Sequence, residues 1–198
     1  MDDDTATAVR AATAARVEIE VRVETDIRVA ADGDFGAAVA EDLRHLVASA
    51  TEPVRAAWPR VDVRASWRDV PDEFAAFGAA ARPAPWLPVA VAHPYIRVGP
   101  LFVPGRAPCH NCFRARARQH EDPVEEEIRR RLAADPALGV RGFPPHQSML
   151  AAGLALALLR GEERGTVAVI DCRTDEVATW RVVPAEQCPG CDDDGPGR

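Results

Sequence analysis

Apolar residues recur along the chain at two periods, and the alternation of those periods predicts an α/β fold. Val17, Ile19, Val21 and Val23 alternate with charged residues, which marks a half-exposed strand. A second strand begins over 27–30 and runs into Ala31-Asp32-Gly33-Asp34-Phe35-Gly36. Beyond it Phe35, Val39, Leu43, Leu46 and Val47 return at helical spacing, so one face of that helix is apolar, and Asp34 stands where it can cap it. After Trp58-Pro59 the pattern predicts a strand over 61–67 and a helix over 69–81 with Phe74 and Phe77 on one side. Pro83-Ala84-Pro85-Trp86 reads as a rigid connector into two strands, 89–92 and 95–103, joined at His93-Pro94. Residues 104–113 are proline-rich and read as irregular. A helix over 147–159 carries Leu150, Leu154 and Leu158 as one stripe, with Ala151, Ala152, Ala155 and Ala157 beside it; such small side chains suit close packing on a sheet or on a second copy. A hairpin closes the pattern, with strands over 166–172 and 177–183 around Arg173-Thr174-Asp175-Glu176.

The helix predicted over 124–134 holds Glu125-Glu126-Glu127 and Arg129-Arg130-Arg131. Three clustered arginines suggest phosphate binding, but each glutamate lies four residues before an arginine, the favourable order for helix ion pairs, so the segment reads as a solvated face. The 198 residues, 47% hydrophobic and 28% charged, are those of a folded domain. No apolar run approaches the roughly 20 residues that a membrane helix needs. The opening Met-Asp-Asp-Asp lacks a secretory signal, so the expected compartment is the cytoplasm. Of the formal net charge of −7, the carboxylates Asp2, Asp3, Asp4, Asp192, Asp193 and Asp194 account for all but one. The body is therefore near neutral, residues 1–15 read as a mobile tail and 192–198 as an acidic one. Neither nucleic-acid nor membrane partners are expected from that balance, which also disfavours a zinc-ribbon nucleic-acid binder. Every basic side chain apart from histidine is arginine.

Four of the five cysteines fall in two pairs, Cys109-His110-Asn111-Cys112 and Cys188-Pro189-Gly190-Cys191. Two residues between thiolates let both sulfurs of a turn meet one ion, and two such turns complete the tetrahedron of a structural Zn2+ site. The alternatives are a redox Cys-x-x-Cys or unrelated thiols. Cys172, in an apolar run, reads as a buried strand cysteine. His110 reads as a knuckle residue pointing outward, His93 and His146 as turn residues beside proline, and His45 as a wet position on its helix. No nucleophile with an adjacent base is legible in the spacing.

A strand, a Gly-x-Gly-x-x-Gly turn and a helix bring backbone amides against phosphate in Rossmann-type folds. Here Ala31 takes the place of the first glycine, Gly33 and Gly36 remain, and Asp32 and Asp34 set carboxylates where phosphate oxygens would lie. At a few ångströms such like charges repel by about 1 kcal/mol or more each. The topology is suggested while the nucleotide site is spoiled.

Trp86-Leu87-Pro88-Val89, the run from Ile96-Arg97-Val98-Gly99-Pro100-Leu101-Phe102-Val103 to Pro104-Gly105-Arg106-Ala107-Pro108, and the thiol pair that follows resemble the segment entering the zinc knuckle of the ThiF/MoeB (ubiquitin-activating-enzyme-like) superfamily. Within it the similarity is greatest to the cyclodehydratase C, or leader-peptide-binding, partner proteins of thiazole/oxazole-modified peptide biosynthesis. It extends through 149–159, the hairpin and the ending 184–191. The resemblance implies a reduced Rossmann-like ThiF-type domain over 16–191 with a four-cysteine zinc knuckle built from 104–113 and 184–191. It also implies a partner of a YcaO enzyme, docking a ribosomal precursor peptide whose Cys, Ser or Thr side chains YcaO cyclises with ATP in antibiotic-type biosynthesis. Zinc would hold the fold while chemistry happens elsewhere.

Catalytic relatives adenylate a C-terminal carboxylate, which demands preorganised positive charge on the phosphates. This sequence has no lysine, its only asparagine is Asn111, and its glycine turn is degenerate at Ala31, Gly33 and Gly36. The expectation is therefore a non-catalytic subunit that does not use ATP; the alternatives are a small ATP-dependent adenylyltransferase and a stand-alone domain with a structural metal. The chain before Val17 leaves no room for the winged-helix recognition module of leader-binding partners. Precursor binding would then come through a separate recognition protein or by β-augmentation of 17–23. A homodimer is expected, with the small-residue helix as a possible contact.

Overall fold

The apolar runs meet in one seven-stranded mixed sheet whose spatial order is the chain order. In the computed structural model, which describes residues 17–22, 26–51, 58–81, 83–135, 137–161, 164–186, 188 and 190–191, the strands are Val17–Arg22 (β1), Asp26–Asp32 (β2), Arg60–Ser66 (β3), Trp86–Ala92 (β4), Tyr95–Val98 (β5), Thr166–Asp171 (β6) and Val177–Arg181 (β7). β2, β3 and β4 are parallel, joined through helices Gly33–Ala48 (α1) and Pro71–Ala81 (α2), and form the Rossmann-like part. β1 and β5 to β7 are antiparallel. The remaining helices, His110–His120 (α3), Pro123–Ala134 (α4) and Pro145–Arg160 (α5), lie between β5 and β6 in the chain. The tails expected at 1–15 and 192–198 lie outside the described residues.

Alternation along the strands sorts side chains to two faces. Ile27, Val29, Val61, Val63, Leu87, Val89, Ile96 and Val98 belong to the main core, which α1 and α5 complete. α1 contributes Phe35, Val39 and Leu43, and α5 contributes Ala151, Ala152, Ala155 and Leu159, all with essentially no exposure. Ala151, Ala152 and Ala155 thus pack closely in the core with α1 and the sheet, Ala157 is exposed, and Leu150, Leu154 and Leu158 are partly buried at the margin. On the opposite face Trp86 and Ala90 meet Phe74 of α2 and Phe102, with Phe77 and Phe113 packed around them. β3 is buried on both faces. Its second face is polar, and Asp62 holds Arg60 at 2.8 and 2.9 Å while Arg64 reaches Glu73 at 3.2 Å.

Several local expectations change. Residues 110–120 form a helix whose first turn falls within 104–113, where the proline-rich pattern predicts an irregular segment, because the prolines end at Pro108 and Cys109 serves as the N-cap. The strand after the His93-Pro94 turn stops at Val98: Gly99 adopts φ +87, which turns the chain, and Phe102 bridges back to Trp86. Asp34 lies in the first turn of α1, and the N-cap is Asp32, whose side chain makes no capping bond. Of the three Glu–Arg pairs spaced by four, Glu127–Arg131 forms at 2.7 Å. Arg129 instead pairs with Glu121, and Glu125 closes a capping box with Asp122 at the start of α4.

A candidate metal centre and a closed glycine turn

α3 begins in a way that aims two thiols at one point. Cys109 is the N-cap and Cys112 sits in the first turn, so a rigid helix start sets their separation at 3.9 Å. The chain returns after β7 with Cys188 and Cys191 on a turn closed by the Cys191 N–H donating to the Cys188 carbonyl at 3.2 Å. Cys109 and Cys188 sulfurs are 3.5 Å apart, those of Cys112 and Cys191 3.4 Å, and all four lie within 4.8 Å of one another. A tetrahedron of metal–sulfur bonds of about 2.3 Å has edges of about 3.8 Å, so the arrangement fits one ion. All four are free thiols.

Neighbouring groups complete the centre. Burial opposes ionisation of Cys112, but the Ala185 N–H, 3.3 Å from its sulfur, and the surrounding thiols outweigh burial and bring this thiol down to about 7. Burial pushes the Cys109 and Cys191 thiols up. Arg116 of α3 ties down the returning segment, donating to the carbonyls of Val183 at 3.3 Å and Pro184 at 2.9 Å. Sequence reasoning missed Arg116, since one arginine among the many on these helices carries no distinguishing signal. A Cβ on Gly190 would come within 2.7 Å of the Asn111 amide and 3.0 Å of the Cys109 sulfur, so a glycine at 190 lets the two turns approach. His110 is not a member of the cluster and does not point outward: its ring lies 5.5 Å from Trp86 and 5.4 Å from Phe102. Burial there, with the Arg97 charge adding to it, pushes the imidazole down to about 4.

The other histidines and Cys172 lie elsewhere. His45 is exposed beside Glu41, and His146, in the first turn of α5, meets Asp175 at 2.9 Å. The same Asp175 accepts from Gln147, a buried amide that also donates to the Cys172 carbonyl, so the β6–β7 turn is pinned to α5. Cys172 is half-buried just past β6 rather than within the strand.

The glycine turn sits at the end of β2, as the topology requires, but it is closed. Gly33 has φ +68, and a Cβ there would fall 2.4 Å from the Trp67 ring, which lies against the turn. Arg141 stacks over that ring at 4.4 Å. Gly36 brings α1 onto β3, its absent Cβ lying 2.5 Å from the Ala65 carbonyl oxygen. Asp32 accepts the Ser66 hydroxyl at 3.0 Å, and Ala31 is buried in the core. Both glycines therefore serve packing between α1, β3 and Trp67.

No protein-family model matches the sequence. No curated protein matches it either. Among solved structures, a heterocyclase in complex with substrate and cofactor superposes with a TM-score of 0.61, over 86% of this chain at 17% identity. The heterocyclase TruD gives 0.58 over 86% at 21% identity, and the E. coli microcin synthetase McbBCD complex gives 0.53 over 68% at 12% identity. This chain spans 25% and 28% of the two heterocyclase chains and 54% of the matched microcin synthetase chain. The described residues thus share the fold of one segment of these heterocyclase and synthetase chains, and this chain's mixed α/β fold carries the cluster of four cysteines that the resemblance in the sequence implied.

Proposed function

We propose that the chain is a non-catalytic, zinc-stabilised scaffold or peptide-docking subunit of an azoline-forming cyclodehydratase, working beside a YcaO-type enzyme on a ribosomal precursor peptide. The observation that carries this reading is the superposition of 86% of the chain on a segment of a heterocyclase that was solved with substrate and cofactor. The closed glycine turn supports the non-catalytic part. With Trp67 against Gly33 and the Asp32 carboxylate at the head of α1, the helix start offers an anion a ring and a like charge in place of open amides. The same features speak against an adenylyltransferase.

Cys109, Cys112, Cys188 and Cys191 would hold the metal. Zinc, when bound, supplies a structural cross-link between the start of α3 and the segment that follows β7. That link spans 79 residues of chain between Cys109 and Cys188, so it closes α3, α4, α5 and the last hairpin onto one another. β1 is an edge of the sheet and can accept an extended peptide by β-augmentation. Ala151, Ala152 and Ala155 of α5 are buried inside the chain and Ala157 is exposed, so the proposed homodimer needs a surface that extends beyond those three alanines. No helix among the described residues is long and apolar enough to cross a membrane.

Co-purification tests the assignment. A tagged copy expressed with a YcaO protein and a precursor peptide encoded beside it retains at least one of them in low salt; retention of neither contradicts the reading.

A further inference from the structure

A cavity of about 400 Å³ opens where β3 and β4 end, between the β3–α2 loop, the β4–β5 turn, α3 and α4. Its walls are largely apolar, with Val91 from β4, Phe113 from α3, Ile128 and Leu132 from α4, and Val140 from the loop before α5. Five arginines also line it, and three of them are matched. Arg97 donates to both oxygens of Asp69 at 2.8 and 2.9 Å, Arg68 donates to Glu73 at 2.7 Å, and Arg129 pairs with Glu121.

Arg114 and Arg118 are not matched in this way. They stand one turn apart on α3, a like-charge spacing that destabilises a helix. The Arg114 side chain is only 19% exposed, and the carboxylate nearest it, Asp72, is 3.7 Å away on a side chain that is 95% exposed. Arg118 has no carboxylate partner among the described residues. Burial, with the Arg118 charge adding to it, pushes the Arg114 guanidinium below its usual range. The remaining lining carboxylate, Glu125, is engaged in the cap of α4.

This charge pattern selects the ligand. A polyphosphate would bring several negative charges against Asp69, Glu121 and Glu125, with only two uncommitted arginines to receive them. A single carboxylate matches those two, and the apolar wall suits side chains on either side of it.

We propose that this cavity binds a peptide segment in which one acidic side chain is flanked by apolar residues, the carboxylate held by Arg114 and Arg118 and the apolar side chains by Phe113, Ile128 and Val140. The site stands on this geometry alone and does not depend on the role in a cyclodehydratase.

The probe is a library of end-blocked pentapeptides with a central Asp and Leu, Ile, Val, Phe, Met or Ala at the other positions, compared with the same library built on Asn. Immobilised full-length chain retains the Asp library about tenfold more than the Asn library, as expected for a charge-assisted pair. Arg114→Gln and Arg118→Gln bring that ratio close to one, and Ile128→Glu lowers retention of both libraries. Ile128 is 53% exposed and Arg118 is on the surface, so these two variants fold, which circular dichroism checks. Equal or absent retention of the two libraries by the parent chain overturns the proposal. So does a ratio that survives both arginine variants, or displacement by ATP that is as effective as displacement by an Asp pentapeptide.

Discussion

Four sulfurs and one glycine decide the character of the candidate centre. The thiols come from two segments that share no secondary structure, joined by weak S–H contacts, the Ala185 N–H on the Cys112 sulfur and the two carbonyls held by Arg116. Structural zinc contributes folding free energy directly, and its ligands must be deprotonated. Elemental analysis is therefore expected to find one zinc per chain in the parent, and Cys109→Ser or Cys188→Ser to lose it. Chelation of the parent should lower its Tm by about 10 °C or more, and metal occupancy should fall as pH drops and protons compete for sulfur. Stoichiometric zinc in both single variants would contradict the four-thiolate centre. The cluster is legible because Cys-x-x-Cys occurs twice and the spacing itself states the geometry. Arg116, Gly190 and Trp67 are not. Their roles depend on which distant backbone they meet, and a local pattern carries no record of that.

At the scale of elements, the sequence reports period well and faces less well. All seven strands are expected from the pattern, and the apolar stripe of α1 is the buried one. The leucine stripe of α5 is marginal because α1 lies close enough that only Ala151, Ala152 and Ala155 fit between the two helices. Ala152→Leu should consequently overpack that contact and cost about 1–3 kcal/mol, read as a lower urea midpoint with an unchanged m-value. A neutral or stabilising result would mean that α5 has room to shift away from α1. α3 escapes the pattern because its residues are mostly polar and its first turn is hidden by the thiol motif. The charge order of α4 predicts a solvated face, and Glu125, Glu126, Arg130 and Arg131 are on the surface as expected, while Arg129 is half-buried against Glu121. Ile128 and Leu132, however, turn towards the cavity and make one side of that helix a wall. β7 is exposed along its whole length, with Trp180 at 56%, so the last hairpin projects beyond the layers that cover β2 to β6.

For the whole molecule, the fold agrees with one segment of much longer heterocyclase chains, while the turn that would receive a nucleotide is filled by the protein's own side chains. A scaffold needs no such turn. It needs a rigid body, which the sheet and the thiol cluster supply, and a surface for its partner. The charge of the body fits this reading, since the six terminal aspartates carry nearly all of the net −7 and leave the surface without a strong field of one sign. The most direct measurement is a reconstitution by mass spectrometry with a YcaO enzyme, ATP and the precursor peptide, in the presence and absence of this chain. The account predicts loss of one water per ring only when YcaO and this chain are both present, and no ATP–pyrophosphate exchange by this chain alone. Cyclisation that proceeds equally well without the chain, or peptide-dependent pyrophosphate exchange by the chain on its own, would contradict it.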